Sequence, residues 1–165
     1  MGNILSEREL IDVVERDRAS GRSIGLANGC FDLLHVGHVR YLQAAAAEAD
    51  RLIVAINDDG SVAALKGAGR PILAAADRAE LVAALRGVDY VVVFNDVNVE
   101  RLIALLKPDV HCKGTDYTVE SVPERAVVAG YGGRTAIVGD SKSHATRDLL
   151  ARIIGARPTA DRRGA

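Results

Sequence analysis

Ile24-Gly25-Leu26-Ala27-Asn28-Gly29-Cys30-Phe31-Asp32-Leu33-Leu34-His35-Val36-Gly37-His38-Val39-Arg40-Tyr41-Leu42 is the stretch that decides the fold. Ile24 to Ala27 reads as a short buried strand, and Val39 to Ala49, alanine-rich and closed by Glu48, reads as a helix. Between them lies a turn carrying Gly29, Gly37, His35 and His38, so both histidines stand at or just before the first helical turn. Unpaired backbone N–H groups and the positive end of the helix dipole point there, and they stabilise an anion before any side chain contributes. Gly37 would let a phosphate approach the backbone closely.

Outward from this unit the pattern alternates. Strands are expected at Leu52 to Asn57, Tyr90 to Phe94, Val110 to Cys112 and Thr135 to Val138, with helices at Asp77 to Arg86, Val99 to Lys107, Pro123 to Gly130 and Thr146 to Ile154. Short apolar strands alternating with amphipathic helices call for a parallel sheet covered on both faces, here of five strands. In such a sheet the ligand lies at the carboxyl ends of the strands, by the topological switch point. Ser6 to Ser20 reads as a short charged helix, capped by Ser6 and stopped by Gly21, and expected to be peripheral. The expected division is thus an N-terminal helix over 1–22, one domain over 23–154, and a loose basic tail over 155–165.

Length and composition agree with one domain of substantial core, since the chain has 165 residues and 48% hydrophobic residues. A formal net charge of −1 favours neither a disordered chain nor a nucleic-acid binder held by bulk electrostatics. Cys30 and Cys112 are too few for a disulfide framework, and no early apolar run is flanked like a signal peptide, so cytoplasmic residence is expected. Met1 to Ser6 matches a myristoylation pattern, but no polybasic stretch supplies a second anchor, and the match is read as coincidence. His35-x-x-His38 could place two nitrogens on one helical face for a metal, with Cys30, Asp32, His111, Cys112 or His144 as further ligands. No Cys-x-x-Cys or His-Glu-x-x-His spacing supports that, and a structural zinc site is not expected.

The segment Gly29-Cys30-Phe31-Asp32-Leu33-Leu34-His35-Val36-Gly37-His38 resembles the signature Gly-x-Phe-Asp-x-x-His-x-Gly-His of the cytidylyltransferase-like nucleotidyltransferases, and every fixed position is met. The resemblance implies a Rossmann-like, doubly wound α/β fold that joins a nucleoside monophosphate to a phosphorylated acceptor. It also implies that Gly29, Cys30, Phe31, Asp32, His35, Gly37 and His38 contact the nucleotide, with Asn28 beside the acceptor. Lys66-Gly67-Ala68-Gly69-Arg70-Pro71 has the glycine-rich, cationic character of a loop over an anionic ligand. In sugar-phosphate members a similar stretch and a following arginine lie beside triphosphate and acceptor, which implies those roles for Lys66, Arg70 and Arg78; ordinary surface charge is the alternative, most of all for Arg78.

Lys113-Gly114-Thr115-Asp116-Tyr117 looks like the Lys-Gly-Gly-Asp-Tyr segment of bacterial heptose 1-phosphate adenylyltransferases, with Thr115 replacing the second glycine. Asp50 to Ala55 with Asn57, Val88-Asp89 and Pro108-Asp109-Val110 extend that likeness, which runs from about Ile24 to Ile154. That family often occurs fused to a sugar kinase, and this chain would be its stand-alone form. Lys113 would meet a phosphate, and Asp116 and Tyr117 would face the sugar or the ribose. Ser143-His144-Ala145-Thr146-Arg147 departs from the usual hydroxyl-rich opening of the last helix: Thr146 is the matching residue, and Arg147 offers a bidentate phosphate ligand in place of a hydroxyl.

The resemblance therefore implies transfer of AMP from ATP to a sugar 1-phosphate, foremost D-glycero-D-manno-heptose 1-phosphate. His35, His38, Lys66 and Lys113 would stabilise the reacting phosphates, and Mg²⁺ would arrive with ATP, held mainly by nucleotide and water. Expected partners are these small molecules and further copies of the chain in a homo-oligomer, with neither nucleic acid nor membrane. The same signature serves cytidylyltransferases acting on glycerol 3-phosphate or ethanolamine phosphate, and adenylyltransferases of pantetheine phosphate or flavin. A nucleotide-binding regulator without turnover is the alternative of another class, allowed by the altered last motif.

Overall fold

The computed structural model describes residues 1–96 and 98–140, and the fold is stated for those residues. Elements in chain order are β1 (Asn3–Ile4), α1 (Glu7–Ala19), β2 (Ile24–Gly29), α2 (Val36–Ala46), β3 (Arg51–Asn57), α3 (Asp59–Lys66), α4 (Ala75–Ala83), β4 (Tyr90–Phe94), α5 (Glu100–Leu106), β5 (Val110–Gly114), α6 (Arg125–Gly130) and β6 (Arg134–Val138). A 3-10 turn at Val119–Ser121 joins β5 to α6. The expected helix over Thr146 to Ile154 and the expected tail over 155–165 lie outside the described residues.

All strands pair in parallel in the order β1-β4-β3-β2-β5-β6. The sheet has six strands rather than the five expected from sequence. The additional strand is β1, only two residues long, and such a segment leaves no alternation for a sequence pattern to reveal. It is fixed by the backbone: Asn3 N–H donates to Asp89 O at 2.8 Å and Leu5 N–H to Val91 O at 2.9 Å. Gly2 is buried ahead of it, where a β-carbon would stand 2.8 Å from the Val88 carbonyl, so the chain can approach the sheet only without a side chain.

Side-chain alternation along β3 sends Leu52, Val54 and Ile56 to one face and Ile53 and Ala55 to the other. On the first face they meet Leu42 and Ala45 of α2 and Ala79, Val82 and Ala83 of α4. On the second they meet Leu10 and Val14 of α1, Leu102, Ile103 and Leu106 of α5, and Val128 of α6. The sheet is thus doubly wound, as the alternation implied. Helix α1 is closed by the expected Ser6 cap, in a capping box with Glu9, but it is not peripheral. Its charged outer face concealed an inner stripe: Leu10 is fully buried and Val14 nearly so.

From β2 the chain winds outward through α2, β3, α3 and α4 to β4, then crosses back through α5 to β5 on the other side of β2. Strands β2 and β5 therefore flank the switch point, outside whose carboxyl ends ligands bind in sheets of this kind. Register aligns Leu26 with His111 and Ala27 with Cys112, which carries Asn28 and Lys113 forward to that rim. The rim residues lie in the strands themselves, because β2 runs on to Gly29 and β5 to Gly114, beyond the expected ends at Ala27 and Cys112.

Candidate active site

Helix α2 begins three residues earlier than its composition suggested, so His35 is its cap residue and His38 sits in its first turn. His35 has extended backbone (φ −141°, ψ 170°) and its side chain makes no capping hydrogen bond. The two imidazoles stack with centroids 3.8 Å apart and planes 23° from parallel, and Phe31 packs edge-on against His38 at 5.3 Å. Phe31 is buried with φ +48°, a left-handed conformation that folds its ring back over Gly29; a β-carbon there would stand 3.1 Å from the ring. Gly29 and Phe31 thus shape the turn that presents the histidines.

Burial pushes the His38 imidazole down from 6.5 to about 4, with the neighbouring charges of His35 and Lys66 acting the same way and the Leu33 carbonyl opposing them. His38 is therefore neutral near pH 7, and a neutral imidazole donates one N–H. Lys66 ends α3 and is exposed, close enough to act on both His38 and Cys30 through its charge. The following loop turns at Gly67 (φ +87°) and Gly69 (φ +78°), conformations that favour glycine.

Asp32 is buried and faces this loop. One carboxylate oxygen accepts from the Ile72 N–H at 2.6 Å and the Leu73 N–H at 3.2 Å, and the other meets the Arg70 guanidinium at 2.6 Å. Asp32 thus fastens the glycine loop to the signature turn, and Arg70 stands at the site already paired. Cys30 lies beside Asn57, its thiol 3.8 Å from the amide oxygen, and burial raises its pKa. Gly37 is the second residue of α2, where the sequence placed it for phosphate approach.

Arg78 corrects an expectation. The resemblance implies a place for it beside triphosphate and acceptor, yet it is fully buried in α4 with its guanidinium occupied by protein. It donates to Leu73 O at 2.9 Å, Cys30 O at 2.6 Å and Asn57 O at 2.8 Å, and pairs with Asp59 at 2.7 Å. One cation therefore ties the signature turn, the end of β3, the glycine loop and the start of α3 into a single floor beneath the candidate site. Sequence gives residue type and not depth, so a buried bracket and a surface phosphate ligand look alike.

On the β5 side, the Lys113 ammonium donates to Asn28 Oδ1 at 3.0 Å and to Glu124 Oε1 at 3.2 Å, and lies 5.3 Å from the centroid of the Tyr117 ring. His111 is fully buried with Nε2 3.1 Å from the same Asn28 oxygen, and burial pushes it down to about 3, with the Lys113 charge acting in the same direction. Neutral His111 therefore acts as the Nε2–H donor to Asn28. Sequence reasoning brought Asn28, Lys113 and Tyr117 to this rim but missed His111 and Glu124 as members of the network. Alternation along β5 places His111 on the face of Lys113, whereas Glu124 is brought in only by the loop ahead of α6. Asp116 is exposed on the loop after β5. Thr146 and Arg147 lie outside the described residues.

Among the described residues no group of three or more His, Cys, Asp or Glu side chains is gathered to hold a metal ion. Asp32, the one acid of the signature, is taken up by Arg70 and the loop amides.

The fold is that of a Rossmann-like α/β protein, with the candidate site at the switch point of its parallel sheet. More narrowly, the chain belongs to the cytidylyltransferase-like family, whose description matches residues 26–156. It is 43% identical over 150 residues to the "Bifunctional protein HldE" of Pseudomonas fluorescens, covering 91% of this chain and 32% of that protein. The HldE of Geobacter metallireducens is 46% identical over 147 residues, covering 89% of this chain and 30% of the relative. The chain thus spans about a third of the length of the curated relatives it matches. Among solved structures, a lipopolysaccharide core biosynthesis protein from Thermoplasma volcanium superposes with a TM-score of 0.61 at 27% identity, covering 75% of this chain and all of that one. No helix among the described residues is long and apolar enough to cross a membrane.

Proposed function

We propose that the domain transfers AMP from ATP to a sugar 1-phosphate, foremost D-glycero-D-manno-heptose 1-phosphate, releasing pyrophosphate. The observation that carries this reading is the stacked His35 and His38 pair at the N-terminus of α2, at the end of the sheet where Lys113 and Asn28 stand on β5 and β2. Triphosphate would lie over the α2 N-terminus, where free N–H groups and the helix dipole favour anions. The acceptor's phosphate oxygen attacks the α-phosphorus directly; the new P–O bond forms as the α–β anhydride bond breaks, and the electron pair leaves with pyrophosphate. No covalent enzyme intermediate is required, because positioning and charge stabilisation carry such transfers.

Each group has its part in this reading. The N–H of neutral His38, together with His35, donates to oxygens that gain charge as pyrophosphate departs. Lys66, at the head of the glycine loop, supplies fixed positive charge from the opposite side, and Arg70 steadies the loop. Lys113 meets the acceptor phosphate, with Asp116 and Tyr117 toward the sugar, and Thr146 and Arg147 complete the triphosphate contacts. Magnesium enters as part of the nucleotide substrate and neutralises charge on its phosphates.

Support for the heptose branch comes from the Lys113-Gly114-Thr115-Asp116-Tyr117 segment and from the likeness to proteins named HldE. Pyrophosphate release, scanned over ATP, CTP, GTP and UTP against heptose, glucose and mannose 1-phosphates and glycerol 3-phosphate, tests the reading. Turnover with ATP and the heptose phosphate is the expected result. Turnover confined to CTP and glycerol 3-phosphate would replace it, and nucleotide binding without turnover on the whole panel would point to a regulator.

A further inference from the structure

Glu124 immediately precedes α6, yet its side chain makes no capping hydrogen bond to that helix. It turns inward, is nearly fully buried, and meets the equally buried Lys113 ammonium at 3.2 Å. Its second carboxylate oxygen is buried without a hydrogen-bond partner among the described residues. A buried ion pair is on average no better for stability than an apolar pair of the same volume. This one also stands at the ligand-facing rim, where stability alone does not require it.

We propose that Glu124 is a positioning residue for the proposed transfer, fixing the Lys113 ammonium toward the acceptor phosphate; this rests on the role given to Lys113 above. The geometry leaves the lysine little freedom. An ammonium has three N–H donors, and Asn28 Oδ1 and Glu124 Oε1 take two of them. Asn28 is in turn held by the His111 ring at 3.1 Å, so that anchor is itself fixed, and Glu124 is nearly fully buried. The third N–H remains for a phosphate oxygen, with the Tyr117 ring face beside it at 5.3 Å from the ammonium. Without the Glu124 anchor the flexible lysine stem would swing toward Asn28 alone, and the ammonium would miss the acceptor.

The test is a mutant cycle on pyrophosphate release with ATP and D-glycero-D-manno-heptose 1-phosphate, using Glu124→Asp, Glu124→Ala, Glu124→Gln, Lys113→Met and the Lys113→Met/Glu124→Ala double variant, with kcat referred to folded protein by circular dichroism. Glu124→Asp keeps the charge and shortens the reach, so kcat should fall roughly tenfold or more while KM for ATP stays within about twofold, as misplacing a reacting group by about 1 Å can cost up to a hundredfold. Glu124→Gln keeps an acceptor oxygen at full reach and should recover most of the activity. The double variant should be no slower than Lys113→Met alone. Wild-type kcat in Glu124→Asp beside an impaired Lys113→Met, or losses that multiply in the double variant, would overturn the positioning role. Full activity in Lys113→Met would instead overturn the reading of Lys113 on which it rests. Should the wild type not turn over that pair, the same cycle is read by calorimetric binding of inorganic phosphate, the group Lys113 is proposed to meet: equal losses in Lys113→Met and in the double variant support the positioning role, and losses that multiply overturn it.

Discussion

Asp32 and Arg70 join the signature turn to the glycine loop: the buried carboxylate of the turn meets the guanidinium of the loop at 2.6 Å. Two loop amides, of Ile72 and Leu73, bond the same side chain. The turn and the loop are thereby one mechanical unit, although 38 positions separate the two residues (70 − 32).

Asp32→Ala leaves the largely buried Arg70 without its partner and frees both amides. Breaking a buried pair from one side costs on the order of 3 kcal/mol. A lowered denaturation midpoint is expected, together with faster proteolysis between Lys66 and Leu73. Unchanged cleavage in that segment would show that the loop is held by something other than Asp32.

His38→Ala should lower kcat by roughly a hundredfold or more while weakening ATP binding far less, as expected for a donor whose value grows with developing charge. Steady-state rates with equilibrium binding separate the two effects. Wild-type turnover in a His35→Ala/His38→Ala double variant would remove the histidines from the mechanism.

Arg78→Met is expected to act on folding. Four protein groups lose their donor, and the Cys30 and Asn57 carbonyls are left without it, so a loss of about 3 kcal/mol or more in chemical denaturation should follow. A residue that only bound substrate would instead raise KM with stability intact.

Acid should destabilise the domain through its neutral histidines. Burial pushes His38 down to about 4 and His111 down to about 3 in the folded chain, both below the ordinary 6.5. Between those values the unfolded chain binds protons that the native chain refuses, so stability is full above about pH 6.5 and falls as pH drops, by about 1.4 kcal/mol per pH unit for each proton of difference. Denaturant midpoints from pH 7 to 4 measure the slope, and His111→Gln should flatten it. A bound phosphate favours the charged imidazole, so nucleotide binding near pH 5 should take up protons, visible as a buffer-dependent binding enthalpy.

By itself the sequence determined the winding and the place of the strand-to-helix turn that carries the two histidines. Alternation of apolar strands with helices dictated a parallel sheet covered on both faces, because β3 sends neighbouring side chains to opposite cores. The glycines and histidines of the signature announced a strand-to-helix turn, and it formed with His35 and His38 at the head of α2. These readings depend only on local periodicity and turn chemistry, which a linear string carries. Depth and long-range partnership were decided by tertiary structure alone. Arg78 became a floor bracket because α4 packs its first turns under the candidate site, and Glu124 joined Lys113 because the loop from β5 to α6 folds back over the sheet edge. β1 formed because β4 offered an open edge to two residues with no pattern of their own. In each case the deciding contact lies between residues distant in sequence, and the periodicity of one segment holds no record of which other segment will cover it.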